Sequence, residues 1–508
     1  MLNIFLKKAQ TIKFLSLVVL ICCSNVLSAS EGDASKSKES IPKAEIFTSK
    51  HEIRIDNNKI KYTATAGTMK MKDSEGKPIA LFGYTAYVKD GGKDGNRPLL
   101  FAYNGGPGSS SIWLHMGILG PQRTIVTDAD FSTNGPFKRV SNKYSILDRA
   151  DLVMIDPVGT GFSRPIGEGK GKDFWGVDQD IKSVSEFIVQ YTTENARWAS
   201  PKYILGESYG GMRSGGVAYQ LLTKHNYALN GVVLVSPFMD YVAGFSGISN
   251  DLPHVLFFST FAATAWYHKT IKDRPDDLQS FLGEVEEFST NVYAPALLKG
   301  NKLSQAEKKQ VLEGMERYTG ISATYWEHAN MRIDESQFSK ELLRDKNINA
   351  GRIDSRFLGE SINSIGEGIA YDPFFPSVGP AFVATFNDYY AKDLNVKTEQ
   401  KYVTSASLWN KWDETHQIPG KFKVAFANTG VDLAHTMIMN PKMRVLVMQG
   451  YFDLATPYGA TNYFLDHMNI SEKLQKNIEV EYYQAGHMMY IHKPSMLKFK
   501  NDLGGFIK

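Results

Sequence analysis

The chain has 508 residues, 43% apolar and 22% charged, with 57 Lys and Arg against 54 Asp and Glu, a formal charge of +3. That composition excludes collagen-like, disordered and multi-span membrane proteins, and with no long basic block it offers nucleic acid no continuous electrostatic partner. At about 150 residues per domain the length fits three domains, or equally one large core with an insertion.

Residues 1–29 are expected to be a secretory signal. Lys7, Lys8 and Lys13 precede the apolar run Phe14 to Ile21, and small residues follow at Ser24, Ser28 and Ala29. The run is shorter than the about 20 apolar residues a bilayer span needs. Cleavage after Ala29 removes three lysines and no acids, which brings the +3 to zero, and removes both cysteines, Cys22 and Cys23. The exported, periplasmic or secreted product then has no disulfide and no thiol, which excludes cysteine hydrolases. Residues 30–43 are polar and aperiodic and read as a flexible leader.

From His51 to Ala66 the residues alternate around Asn57-Asn58, the pattern of an exposed hairpin, and residues 79–88 read as a further strand. Short apolar runs follow: Leu99–Tyr103, Leu152–Ile155, Tyr203–Leu205, Val232–Val235, Val445–Met448 and Ile478–Tyr483. Runs that do not alternate suit strands buried on both faces of a parallel sheet. Helical patterns at Asp178–Arg197 and Tyr209–Lys224 lie between them, so the chain reads as an α/β sheet covered on both sides. The core is expected over 44–239 and 438–508, divided by a largely helical insertion over 240–437 that contains a helix near Ser304–Tyr318.

The sharpest local signal is Gly206-Glu207-Ser208-Tyr209-Gly210-Gly211, a Gly-x-Ser-x-Gly string after a buried strand and before a helix. There the glycines permit a sharp turn that holds a nucleophilic serine at the strand's carboxyl end. Gly359-Glu360-Ser361-Ile362-Asn363 lacks the closing glycine and a preceding strand signal. A serine needs a base, and the base an orienting acid. His487 follows strand Ile478–Tyr483 and Asp453 follows strand Val445–Met448, and loops at these strand ends would place both on the catalytic edge of the sheet. The order Ser208, Asp453, His487 is the one this type of sheet uses. His115, His435 and His492 lack such a position. Asn104-Gly105-Gly106-Pro107-Gly108-Ser109-Ser110 follows strand Leu99–Tyr103, and its glycines bring backbone N–H groups close to a developing oxyanion. The expected donors are the amides of Gly106 and Tyr209. The Lys-Ser/Thr of a phosphate-binding loop is missing, and so is His-Glu-x-x-His; no metal or cofactor is expected.

The strings NGGPGSS at 104–110, DPVGTGFS at 156–163 and GESYGG at 206–211, the Asp453 loop and GHM at 486–488 together resemble the serine carboxypeptidase family from about Leu99 to the C-terminus. The resemblance implies an α/β-hydrolase fold with a helical insertion, and removal of C-terminal residues from peptides with a free carboxylate. It implies a triad of Ser208, Asp453 and His487, an oxyanion hole of Gly106 and Tyr209, and a carboxylate site of Asn104, Gly105 and Glu207. Glu207 must then be protonated, because two anions repel. Many members carry an acid just before a Gly-Pro pair, whereas Ile118 and Leu119 precede Gly120-Pro121 here. Arg123 is the nearby candidate for a compensating charge. The absence of disulfides resembles the bacterial branch. The alternatives are a proline aminopeptidase of the same architecture and an acyltransferase.

Overall fold

The computed structural model describes residues 41–91, 95–132 and 134–507; the expected signal and nearly all of the expected leader lie outside them. One large sheet organises the chain. Its strands are β1 (Ile46–Ile55), β2 (Asn58–Lys72), β3 (Pro78–Lys89), β4 (Leu99–Tyr103), β5 (Asp151–Asp156), β6 (Lys202–Glu207), β7 (Gly231–Val235), β8 (Arg444–Gly450) and β9 (Ile478–Tyr483). The spatial order is β1-β2-β3-β5-β4-β6-β7-β8-β9, with a two-residue strand Arg164–Pro165 beside β3. β1, β2, β3 and β5 pair antiparallel, and β5 through β9 pair parallel. The first hairpin turns at Asp56 and Asn57, both at positive φ (47° and 65°), one residue earlier than the alternation predicts.

The unbroken apolar runs have a direct explanation. Leu100, Ala102, Leu152, Met154, Leu205, Val233, Leu446 and Met448 enter one buried cluster. Their neighbours Leu99, Phe101, Val153, Ile155, Ile204, Val232, Val445 and Val447 enter another. Successive side chains point to opposite faces, and both faces are dry, so alternation disappears from the sequence.

The second face is covered by α1 (Val177–Glu194) and α2 (Tyr209–His225). Between β7 and β8 the chain is mostly helical, with α3 (Leu252–His268), α4 (Leu278–Phe288), α5 (Gln305–Thr319), α6 (Phe374–Lys392) and α7 (Gly430–Met439) among its longer helices. α3 to α5 surround an apolar cluster of their own, including Phe258, Phe261, Trp326 and Phe338. α6 differs: Phe374, Val378, Phe382 and Phe386 pack onto the first face of the sheet, beside α8 (Lys493–Phe506). The expected insertion edge at Met437 falls inside α7, whose Leu433, Ala434 and Met437 join the cluster under α1 and α2. Gly359 lies in a short strand, Leu358–Glu360, paired to Ile348–Ala350 away from the large sheet. Among the described residues no helix is long and apolar enough to cross a membrane.

Candidate active site

Ser208 occupies the turn between β6 and α2 with φ 63° and ψ −129°. A non-glycine residue there is strained by about 1–3 kcal/mol, and the surroundings must hold it. They do so through its backbone: Ser208 N–H donates to Val235 O (3.0 Å), and Ser208 O accepts from Phe238 N (2.9 Å). The turn is also too tight for a side chain at Gly206, where a Cβ would lie 2.1 Å from Gly210 O.

Asp453 and His487 come from the loops after β8 and β9. His487 Nδ1 and Asp453 Oδ2 are 2.7 Å apart, and Asp453 is fully buried. The remaining capacity of the carboxylate is filled by Ala455 N (2.8 Å), Thr456 N (3.0 Å) and the Thr456 hydroxyl (2.7 Å). With Nδ1 committed to this pair, Nε2 is the nitrogen left for proton exchange. Burial lowers the basicity of His487, but the charge and hydrogen bond of Asp453, with Glu207 behind them, outweigh it and raise its pKa. Among the described residues no contact of hydrogen-bond geometry links His487 to Ser208, although both line one cavity of about 390 Å³. Such bonds commonly close only around substrate.

The loop after β4 lies against the Ser208 turn. A Cβ at Gly105 would sit 2.4 Å from Tyr209 N, so only glycine allows this approach. Asn104, Gly105, Gly106, Glu207, Ser208, Tyr209 and His487 all line the same cavity. The N–H groups of Gly106 and Tyr209 have no acceptor among the described residues. Asn104 is held at both ends of its amide: Nδ2 donates to Glu207 Oε1 (2.7 Å), and Oδ1 accepts from Leu114 N (3.1 Å). Glu207 is buried, and burial pushes its pKa up to about 7 against the opposing pull of His487 and nearby hydrogen bonds. It therefore carries its proton through the weakly acidic range.

Arg123 does not reach this cavity. Its guanidinium lies 5.9 Å from the Tyr144 ring centroid, because it belongs to the short strand Gln122–Thr124 outside the large sheet. The charged groups lining the cavity besides Glu207 and His487 are Arg352 and Glu335, with Arg352 Nε donating to Glu335 Oε1 at 3.3 Å. The Arg352 segment also joins the two loops. Leu454 N donates to Arg352 O (3.0 Å), His487 N to Ile353 O (2.8 Å), and Ser355 N to Phe452 O (2.9 Å). Other supports are equally silent in the sequence. Ser236, at positive φ, donates through Oγ to His487 O (2.9 Å), and its carbonyl lies 2.9 Å from the Thr456 hydroxyl oxygen, sharing that hydroxyl's one proton with Asp453. Arg213, fully buried on α2, bonds Asp180 (2.7 Å) and donates to Asn104 O (2.7 Å). The rival histidines lie elsewhere: His115 is buried against the Tyr87 hydroxyl (2.6 Å), its pKa lowered to about 3 by burial, and His435 is exposed on α7. Among the described residues no group of three or more His, Cys, Asp or Glu is placed to hold a metal.

A mostly parallel sheet with a serine on a sharp strand-to-helix turn, and an acid and a histidine on later strand-end loops, defines an α/β-hydrolase. Residues 56–501 match the family model described as serine carboxypeptidase, and the chain belongs to that family. Serine carboxypeptidase-like 46 of Arabidopsis thaliana is 26% identical over 272 residues, 47% of this chain and 54% of that protein. Serine carboxypeptidase-like 10 of the same plant is 29% identical over 174 residues, 32% of this chain and 37% of that protein. These matches thus span about a third to a half of the curated relatives' length. The crystal structure of a prohormone-processing carboxypeptidase from Saccharomyces cerevisiae aligns with a TM-score of 0.49 at 15% identity, covering 87% of this chain and 90% of that one.

Proposed function

We propose that this protein is an exported serine carboxypeptidase that removes C-terminal residues from peptides through an acyl-enzyme. Ser208 Oγ attacks the carbonyl of the last peptide bond while His487 Nε2 takes its proton. The oxyanion points at the N–H groups of Gly106 and Tyr209. His487 then returns the proton to the leaving amine, and water resolves the acyl-enzyme by the same route in reverse. Asp453 fixes the imidazole tautomer and stabilises the imidazolium.

The observation that carries the reading is Glu207, buried and hydrogen-bonded to Asn104 in the cavity that Ser208 and His487 line; burial there pushes its pKa up, to about 7. A protonated acid donates to a substrate carboxylate where an ionised one repels it. Export is supported by the basic, apolar and small-residue layout of residues 1–29.

The test is hydrolysis of one N-blocked dipeptide and its C-terminal amide from pH 4 to pH 8. The expected result is a strong preference for the free acid, declining as Glu207 ionises. Equal rates on acid and amide overturn the carboxypeptidase reading. Sequencing the N-terminus of the exported protein is expected to find Ser30 or a near neighbour; an intact residue 1 overturns the cleavage.

A further inference from the structure

Glu207 has one satisfied oxygen and one that is not. Oε1 accepts from the Asn104 amide at 2.7 Å, so the proton of the neutral acid belongs on Oε2. Oε2 is buried and closes no hydrogen bond, and the same holds for the Tyr490 hydroxyl. Their side chains nonetheless lie near enough for the phenol to act on the carboxyl as a hydrogen-bond partner without closing a bond of good geometry, with Asn104 as the third member. Buried polar atoms without partners are rare, and an adjacent pair of them marks a bond waiting on a proton or a ligand.

The fold delivers Tyr490 to this place deliberately. Its ring packs on the backbone just before Ile118: a Cβ at Gly117 would lie 2.4 Å from Tyr490 Cε2. Ile118, at the position where the family pattern carries an acid, is fully buried in the apolar cluster that also holds Tyr490. Arg123 is turned to Tyr144 and plays no part.

We propose that Tyr490 is the positioning residue for the Glu207 proton, its neutral phenol the partner of Oε2 in the substrate-carboxylate site. This rests on the carboxypeptidase reading above. A phenol can both donate and accept. It donates to Oε2 when Glu207 is ionised and accepts from Oε2–H when Glu207 is neutral, until a substrate carboxylate takes that hydrogen bond. The bond to the ionised form is charge-assisted and the stronger of the two, so Tyr490 lowers the pH at which Glu207 ionises below what burial alone dictates. Burial keeps the Tyr490 hydroxyl itself protonated throughout. The other charged groups acting on this pair are His487 and Asp453, with Arg352 acting on His487.

The experiment compares kcat/KM for an N-blocked dipeptide with that for its amide from pH 4 to pH 9. His487 serves both substrates, so the acid-to-amide ratio isolates Glu207. In the unsubstituted enzyme the ratio is expected to fall through a single midpoint. In Tyr490→Phe, which removes the hydroxyl and keeps the ring, that midpoint is expected to move up by about half a unit to one unit. Gly117→Ala, which displaces the ring but keeps the hydroxyl, is expected to move it the same way. Midpoints that coincide with the unsubstituted enzyme, or move down, overturn the role of Tyr490 while leaving the carboxylate site standing. A ratio near one at every pH in the unsubstituted enzyme overturns that reading itself, and the inference with it.

Discussion

Two residues are held out of their ordinary states in this site, each by its surroundings. Ser208 sits at positive φ because β7 and the loop after it grip its backbone from both sides. Glu207 holds a proton to about pH 7 because burial penalises its charge. Ser208→Ala is expected to lower kcat by at least about 10³-fold with the folded state retained, measured on the free-acid dipeptide alongside thermal melting. Activity within tenfold of the parent excludes Ser208 as nucleophile. Glu207→Gln keeps a neutral donor at every pH, so its acid-to-amide ratio is expected to lose the decline near neutrality. The pH profile of kcat/KM for the parent is expected to be a bell: His487 must lose its proton on the acid side, and Glu207 must keep its own on the alkaline side.

At the scale of elements, buried ion pairs join parts that share no strand pairing. Arg213 on α2 ties Asp180 on α1 to the Asn104 backbone, with its guanidinium 5.1 Å from the Tyr103 ring centroid. Asp180→Asn leaves that cation without its buried counter-charge and is expected to cost about 3–5 kcal/mol, read by denaturant unfolding. His416 bridges Asp178 on α1 (2.6 Å) and Asp432 on α7 (2.9 Å). Burial lowers its pKa, but the two carboxylates raise it further, to about 9. Since that value lies above the unfolded one near 6.5, the stabilisation is complete below pH 6.5 and is lost as pH rises towards 9. His416→Gln is expected to flatten this decline in Tm between pH 6.5 and 9; an unchanged slope removes His416 as its origin.

Over the whole molecule, the helical segment and the sheet share their interior at the site. Tyr451, Phe452, Leu454 and Tyr458, which flank Asp453, belong to the apolar cluster of Phe258 and Trp326. The segment from Arg352 to Ser355 hydrogen-bonds both the Asp453 loop and the His487 loop. The two parts are therefore expected to unfold together. Phe258→Ala, deep in the helical cluster, is expected to cost about 3–5 kcal/mol and to lower the midpoint of one calorimetric transition. Two separated transitions, with activity lost in the first alone, contradict this coupling.

The α/β class was legible because parallel strands buried on both faces leave unbroken runs such as Leu152–Ile155. The Ser208 turn was legible because sharp turns and close backbone approaches demand glycine at fixed spacing. Asp453 and His487 were legible because loops after parallel strands gather at one edge. These are local constraints, written in consecutive residues. Arg352, Ser236, Thr456, Arg213 and Tyr490 carry no such signature, since an arginine or a tyrosine reads alike in sequence whether it faces solvent or a buried carboxyl. The edge of the helical segment was misplaced for the same reason: α7 has an apolar face that suits either partner, and only packing against α1 and α2 selects one. The sequence by itself determined the sheet, its sharp turn and the residue types at its edge, because backbone sterics and hydrophobic periodicity act over a few neighbours. The tertiary structure decided which side chains support them, how far Glu207 is desolvated and that Arg123 stands apart, because burial and charge depend on distances between segments that lie far apart in the chain.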